Sequence, residues 1–132
     1  MKYRQGYKYQ LSEDYAIQTD ICPLRIFCND YLGITDSGLL TIYKGYAWDG
    51  PSGPTWDTKT FIRGSLVHDA IYQLIRHNHV AKEYKDYSDR LLQQICIEDG
   101  MNRIRAWYVY QAVKYFAGYA ISPKSIKHII EV

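Results

Sequence analysis

Polar and hydrophobic residues alternate through much of the first third of the chain, a pattern typical of β-strands with one buried face. The alternation predicts four strands in two hairpins: residues 7–11 and 15–19 in the first, and residues 31–35 and 39–43 in the second. Turn-forming residues separate each pair, Ser12-Glu13-Asp14 in the first hairpin and Asp36-Ser37-Gly38 in the second. We therefore expect residues 1–48 to form a small antiparallel β-sheet.

The hydrophobic period becomes helical from Thr58 onward. Three helices are predicted: from residue 58 to residues 76–78, from 83 to 99, and from 102 to 117. Asp57 or Thr58 is expected to cap the first helix, and Gly100 to end the second. The stripes expected to face the core are Phe61, Ser65, His68, Tyr72 and Ile75, then Ser88, Leu91, Leu92 and Ile95, then Ile104, Trp107, Tyr108, Ala112 and Tyr115.

This order of elements predicts an α+β fold, with a small N-terminal antiparallel β-sheet of two hairpins followed by three packed helices. The 132 residues suit a single domain spanning 1–132. Its expected parts are a β-rich part (1–48), a candidate cation loop (49–57), a helical part (58–118) and a tail (119–132).

Charge and cysteine content narrow the classes of function. Sixteen basic and fourteen acidic residues give a formal net charge of +2, so electrostatics give no reason to expect a nucleic-acid partner. The three cysteines are odd in number and fit no zinc-binding spacing. No signal peptide or transmembrane helix is visible, so we expect synthesis in a reducing cytoplasm, with free thiols.

The most informative residues lie in the first predicted helix. A lone histidine on an apolar helix face is usually a hydrogen-bonded core residue, but His68 is followed by Asp69 and, one turn later, by Tyr72. Asp69 points about 100° around the helix from His68, and a carboxylate close to the core needs a partner or a cation. Asp89 comes opposite His68 if the first two helices pack antiparallel. It would then fix the tautomer of His68, as a general base for water requires.

A loop rich in glycine and proline, Trp48-Asp49-Gly50-Pro51-Ser52-Gly53-Pro54, precedes this helix. The carboxylate of Asp49, the carbonyl of Gly50 and the carboxylate of Asp69 would give an open set of oxygen ligands. Such a set suits calcium better than zinc, and a calcium ion there could polarise an ester carbonyl. Trp48 and Trp56 flank the loop, where they could line an entrance for lipid or pack in the core.

The segment from Trp48 to Asp89 resembles the phospholipase A₂ superfamily, whose members carry H-D-x-x-Y on a helix that follows a calcium loop. This resemblance implies a phospholipase A₂-like helical core and a role for each matching residue. His68 would activate water, Asp89 would hold His68, and Tyr72 would brace the aspartate. Asp69 and the Asp49-Gly50 loop would hold calcium.

The whole chain resembles a group of tailed-bacteriophage proteins of unknown function. The shared segments are Tyr46-Ala47-Trp48-Asp49-Gly50-Pro51-Ser52-Gly53-Pro54, Arg63-Gly64-Ser65-Leu66-Val67-His68-Asp69 and Glu98-Asp99-Gly100-Met101. This resemblance implies only a phage origin. Together with the absence of a visible signal peptide or transmembrane helix, it leads us to expect synthesis in the host cytoplasm, with association with the virion as an alternative.

Three interpretations of function follow. The first is a calcium-dependent lipid esterase of a phage that acts on phospholipid at a membrane surface. The second is a non-enzymatic phage protein, either a virion component or an inhibitor of a host factor. In it His68, Asp69, Tyr72 and Asp89 form a structural hydrogen-bond network, and a host or virion protein is the partner. The third is a metal-dependent hydrolase of another ester or amide.

Overall fold

The computed structural model describes residues 1, 3–4, 9–48 and 59–116. Within these residues short strands precede three helices, which confirms the predicted α+β class. The strands are β1 (Tyr3–Arg4), β2 (Tyr9–Leu11), β3 (Tyr15–Gln18), β4 (Phe27–Cys28), β5 (Leu32–Ile34), β6 (Leu39–Ile42) and β7 (Ala47–Trp48). The helices are α1 (Ile62–Arg76), α2 (Lys85–Glu98) and α3 (Arg103–Phe116), and a 3-10 turn, Lys82–Tyr84, leads into α2.

The strands form two antiparallel sheets, one in the order β1-β2-β7 and the other in the order β3-β6-β5-β4. The predicted first hairpin is wrong, because β2 pairs with β1 and β7 whereas β3 pairs with β6. Residues 12–14 therefore carry the chain from one sheet to the other. Local alternation located both strands, but β7 and β6, with which they pair, lie more than 20 residues away, and alternation contains no information on such distant partners.

The predicted second hairpin is confirmed, since β5 and β6 pair antiparallel with Ile34 opposite Leu40. Gly38 closes its turn at a φ of 90°. A Cβ atom at this position would lie 2.6 Å from the carbonyl oxygen of Thr19. Both the backbone conformation and the space therefore require glycine here.

The three helices lie close to where the sequence predicts them. Helix α1 begins later than expected, at Ile62, with Phe61 rather than Asp57 or Thr58 at the cap position and no side-chain cap. Gly100 ends α2 as predicted, with a φ of 104°. The side-chain oxygen of Asn102 accepts a hydrogen bond from the backbone N–H of Ile104, which caps α3.

Helix α1 runs through the middle of the core, and 12 of its 15 residues are buried. One apolar cluster joins α1 to residues of both sheets, among them Leu11, Leu32, Ile34, Leu40 and Ile42. Helix α2 approaches α1 closely at Gly64, where a Cβ atom would lie 2.8 Å from a methyl carbon of Leu92. This close approach brings the polar residues of α1 and α2 within hydrogen-bonding distance of one another.

The predicted orientation of α3 is wrong. Its inner face consists of Ala106, Val109 and Tyr110, which are at most 6 % exposed, whereas Ile104 and Tyr108 are exposed. The helix has apolar residues on both faces, so the period of its apolar residues does not show which face is buried. Among the helices of the described residues, none combines the length and the hydropathy that a bilayer span requires.

Candidate functional site

The polar centre of the structure is a histidine–aspartate pair between α1 and α2. The Nε2 atom of His68 lies 2.8 Å from Oδ1 of Asp89, which confirms that the two helices bring these residues together. The Asp89 residue is 0 % exposed and His68 is 7 % exposed. Because an ionised carboxylate only accepts hydrogen bonds, Nε2 carries the proton in this pair.

Asp89 accepts two further hydrogen bonds. The hydroxyl of Tyr72 donates to Oδ1, the same oxygen that His68 uses, and the ring of Tyr72 lies against the imidazole with 4.0 Å between ring centroids. The Nζ atom of Lys85 donates to the other oxygen, Oδ2, at 2.9 Å. Three donors from two helices therefore satisfy a carboxylate that has no contact with solvent.

Lys85 is the residue of this network that sequence analysis missed. It precedes Asp89 by four residues in α2, so the two side chains lie on the same helix face. This spacing of four residues would have been enough to identify Lys85 as a candidate partner of Asp89 from the sequence. What the sequence does not show is that Lys85 also donates to the carbonyl oxygens of Val113 and Lys114, at 3.5 Å and 3.1 Å, in the last turn of α3. Lys85 thus joins the histidine–aspartate pair to the third helix.

Burial and hydrogen bonding together shift the pKa of His68, Asp89 and Tyr72. Burial alone favours neutral His68, but the carboxylates of Asp69 and Asp89 outweigh burial and raise the pKa of the imidazole. Burial alone would raise the pKa of Asp89, but the hydrogen bonds from His68, Lys85 and Tyr72 outweigh it and lower that pKa. Burial, followed by Asp89, raises the pKa of Tyr72, so its hydroxyl keeps its proton.

Asp69 lies on the other side of the imidazole. Its Oδ1 atom is 3.9 Å from Nδ1 of His68, beyond hydrogen-bond range, so Asp69 acts on His68 through its charge. The Asp69 side chain is 40 % exposed, in contrast to the fully buried Asp89. Since Nε2 is held by Asp89, Nδ1 is the nitrogen that can exchange a proton, and a half-exposed carboxylate lies beside it.

The two other predicted metal ligands, Asp49 and Gly50, lie outside the described residues. Among the residues that are described, no group of three or more histidine, cysteine, aspartate or glutamate side chains is placed to hold a metal ion. The oxygen atoms of Asp69 match the ligands that calcium prefers. A calcium site that includes Asp69 would therefore need further oxygen ligands, which the sequence prediction assigns to Asp49 and Gly50.

Of the two predicted substrate-contacting tryptophans, Trp56 also lies outside the described residues. Trp48 is 1 % exposed, and its indole N–H donates to the hydroxyl of Ser65 at 3.0 Å. Its ring packs beside those of Tyr9 and Tyr46. Trp48 is therefore a core residue that connects β7 to α1, and its predicted place in an entrance for lipid is wrong.

The chain matches no known family model, no curated protein and no solved structure. The resemblances to phospholipase A₂ and to phage proteins therefore stay predictions that rest on the residues quoted for them.

Proposed function

We propose that this chain is a phage-encoded, calcium-dependent lipid esterase similar to phospholipase A₂. The observation that carries the proposal is the 2.8 Å contact between Nε2 of His68 and the buried Oδ1 of Asp89, with Nδ1 left beside the half-exposed Asp69. A general base needs this arrangement, because one nitrogen is fixed by a carboxylate while the other is basic.

In the proposed reaction, Nδ1 of His68 takes a proton from a water molecule that attacks the ester carbonyl. Asp89 stabilises the imidazolium that forms, while Tyr72 and Lys85 keep Asp89 ionised and in place. The imidazolium then returns its proton to the departing alcohol. Calcium bound by Asp69 and the loop around Asp49 and Gly50 would stabilise the negative charge on the carbonyl oxygen.

The raised pKa of His68 gives the proposal a pH dependence. Only the neutral imidazole can accept a proton, so turnover should increase as pH rises through a value above the ordinary pKa of about 6.5. Calcium beside Asp69 would offset the charge of that carboxylate. It should therefore lower the pKa of His68 and move the rise in turnover towards neutral pH.

A first test is the release of fatty acid from mixed phospholipid vesicles, with calcium and with a chelator, for the wild type, His68→Ala and Asp69→Asn. We expect release that requires calcium and falls by a factor on the order of 10²–10⁴ in His68→Ala. The Asp69 side chain is 40 % exposed, so Asp69→Asn should fold normally and lose the calcium-dependent release. Glu83→Gln, which neutralises an exposed acid near α2, is the matched control.

The second candidate is a non-enzymatic phage protein, and the saturation of Asp89 by three donors favours it. A buried carboxylate with every partner in place is what a structural network requires. In that case a folded wild-type protein releases no fatty acid under any condition, and His68→Ala loses about 1–3 kcal/mol of stability. Release from a water-soluble ester but not from vesicles would instead favour the third interpretation, a hydrolase of another ester or amide.

A further inference from the structure

The outer face of α3 is an exposed stripe of large apolar side chains, made of Ile104, Trp107, Tyr108 and Tyr115. Their exposed fractions are 68 %, 49 %, 62 % and 70 %. At 100° per residue these four positions fall within an arc of about 100° on one side of the helix. Single exposed aromatic residues are common on protein surfaces, but here four large apolar side chains share one side of a helix. Gln111 lies within the same arc, so three of the four are grouped near the start of α3 and Tyr115 lies near its end.

Basic residues flank this outer stripe on both sides. Arg103 and Lys114 lie along one edge and Arg105 along the other, each about 80–100° from the middle of the stripe. The sequence of α3 contains three basic residues and no aspartate or glutamate, so the helix carries three positive charges. The Nζ atom of Lys114 lies 5.8 Å from the ring centre of Tyr115, which places a cation directly beside the apolar stripe.

This combination of side chains matches the chemistry of a lipid–water interface. Tryptophan and tyrosine have an apolar ring with a polar edge, and they concentrate at the level of lipid headgroups. Helices that lie in the plane of a membrane carry apolar residues on one face and lysine or arginine beside them. Helix α3 has 14 residues and is about 21 Å long, enough to lie in an interface but too short to cross a bilayer.

We propose that the outer stripe of α3 docks on an anionic phospholipid surface, with the helix axis in the plane of the interface. In this orientation Trp107, Tyr108 and Tyr115 lie at the level of the headgroups, while Arg103, Arg105 and Lys114 contact lipid phosphates. A second copy of the chain is a poorer occupant of the stripe, because its own α3 would bring three positive charges against three positive charges.

The outer stripe of α3 shares no residue with the histidine–aspartate pair, but hydrogen bonds connect α3 to that pair. The last turn of α3 accepts hydrogen bonds from Lys85, and Lys85 donates to Asp89. Docking through the outer stripe would therefore hold the last turn of α3, which contacts Lys85, against the membrane surface. The proposed binding needs neither calcium nor turnover, so it can fail or succeed separately from the proposed hydrolysis.

The test is binding of the full chain to vesicles of phosphatidylcholine alone or mixed with phosphatidylglycerol, measured by flotation in the presence of a calcium chelator. We expect binding to the anionic vesicles that weakens as salt is raised. Trp107→Ala should weaken binding roughly tenfold through the loss of one interfacial ring. Lys114→Gln should weaken it about fivefold through the loss of one charge.

Two matched variants control for general effects of composition and charge. Tyr31→Ala removes a ring that is 44 % exposed in the loop before β5, and Lys44→Gln removes an exposed charge between β6 and β7. Both should bind vesicles as the wild type does. Thermal unfolding checks that each variant is folded, which is expected because none of these side chains lies in the core.

Three results would overturn the proposal. They are no binding to anionic vesicles, equal binding to neutral and anionic vesicles, and equal binding by the wild type and Trp107→Ala. Self-association that is lost in Trp107→Ala, without vesicle binding, would assign the stripe to a second copy and would also reject a lipid partner.

Discussion

Asp89 shows how a single residue can remain charged inside a protein core. Its carboxylate is 0 % exposed, and its two oxygens accept hydrogen bonds from His68, Tyr72 and Lys85. Each donor lowers the cost of burying the charge, and Lys85 also brings a full positive charge to Oδ2. Lys85 and His68 therefore compete for the same carboxylate, and the charge on one affects the protonation of the other.

This competition predicts the effect of removing the charge of Lys85. In Lys85→Met the whole negative charge of Asp89 acts on His68, so the imidazolium is stabilised and the pKa of His68 should rise further. The pKa is measured by titrating the imidazole proton resonance by NMR, assigned from its absence in His68→Gln. Loss of one donor to a buried carboxylate should also lower the free energy of unfolding by about 1–3 kcal/mol.

Lys82→Met is the matched control for this variant, because Lys82 is exposed in the 3-10 turn before α2. It should leave the pKa of His68 unchanged, and Lys85→Arg should restore most of the wild-type value. A pKa that falls or stays constant in Lys85→Met would contradict the proposed competition for Asp89.

The sequence predicted the pairing of His68 with Asp89 only on the condition that the first two helices pack antiparallel. Residue spacing fixes which face of each helix a side chain occupies, but not how the two helices pack. It was not enough to place Trp48, since a tryptophan beside a glycine-rich loop suits both a core, which the sequence slightly favours, and an entrance for lipid. The indole N–H of Trp48 finds its acceptor, Ser65, in α1. Contacts of this kind join elements far apart in sequence, and no local pattern indicates them.

At the scale of elements, Arg63 ties the start of α1 to the end of α2. Its guanidinium donates to both carboxylate oxygens of Asp99 and to Glu98, and it also donates to the hydroxyl of Tyr15 in β3. Asp99 follows the last residue of α2, where the helix dipole disfavours a negative charge. Arg63 offsets that effect, and the hydrogen bond with Asp99 in turn raises the pKa of Arg63.

We expect Arg63→Lys to lower the free energy of unfolding by about 1–2 kcal/mol, because a lysine cannot donate to three acceptors in a planar fork. Urea denaturation followed by circular dichroism measures the change. Arg90→Lys is the control, since Arg90 bonds Asp86 with a side chain that is 65 % exposed. Equal decreases in the free energy of unfolding of Arg63→Lys and Arg90→Lys would contradict the proposal that the hydrogen bonds of Arg63 stabilise the fold more than those of Arg90.

The helices were easier to predict than the strands for a physical reason. Helix α2 ends at a glycine with positive φ and begins close to its first apolar repeat, so both limits are local. The strands β2 and β3 are short, and each pairs with a strand more than 20 residues away in sequence: β2 pairs with β7 and β3 pairs with β6. Helix α3 has two apolar faces, so the period of its apolar residues predicts a helix but does not show which face is buried.

At the scale of the whole molecule, folding stability should depend on the protonation of His68. Its pKa is raised in the folded state, so its contribution to stability is complete below the unfolded value of about 6.5. That contribution is lost as pH rises through the folded pKa. His77 and His79 have lowered pKa values and act in the opposite sense, losing their contribution as pH falls below about 6.5.

The difference in free energy of unfolding between the wild type and His68→Gln isolates the first effect. This difference should decrease as pH rises above about 6.5, because His77 and His79 contribute equally to both proteins. Urea denaturation of both proteins at a series of pH values measures this difference in the free energy of unfolding. A difference that is constant, or that grows with pH, would contradict a raised pKa for His68.

The central position of α1 has a consequence for the motions of the molecule. Backbone amides on a helix that is buried along most of its length are shielded from hydrogen exchange until the whole domain opens. We therefore expect the helix that carries His68 to open less often than the exposed described segments, while the Asp69 carboxylate beside it reaches solvent. The imidazole keeps its orientation during the local fluctuations of surface segments, and little reorganisation of its surroundings is needed when a proton arrives.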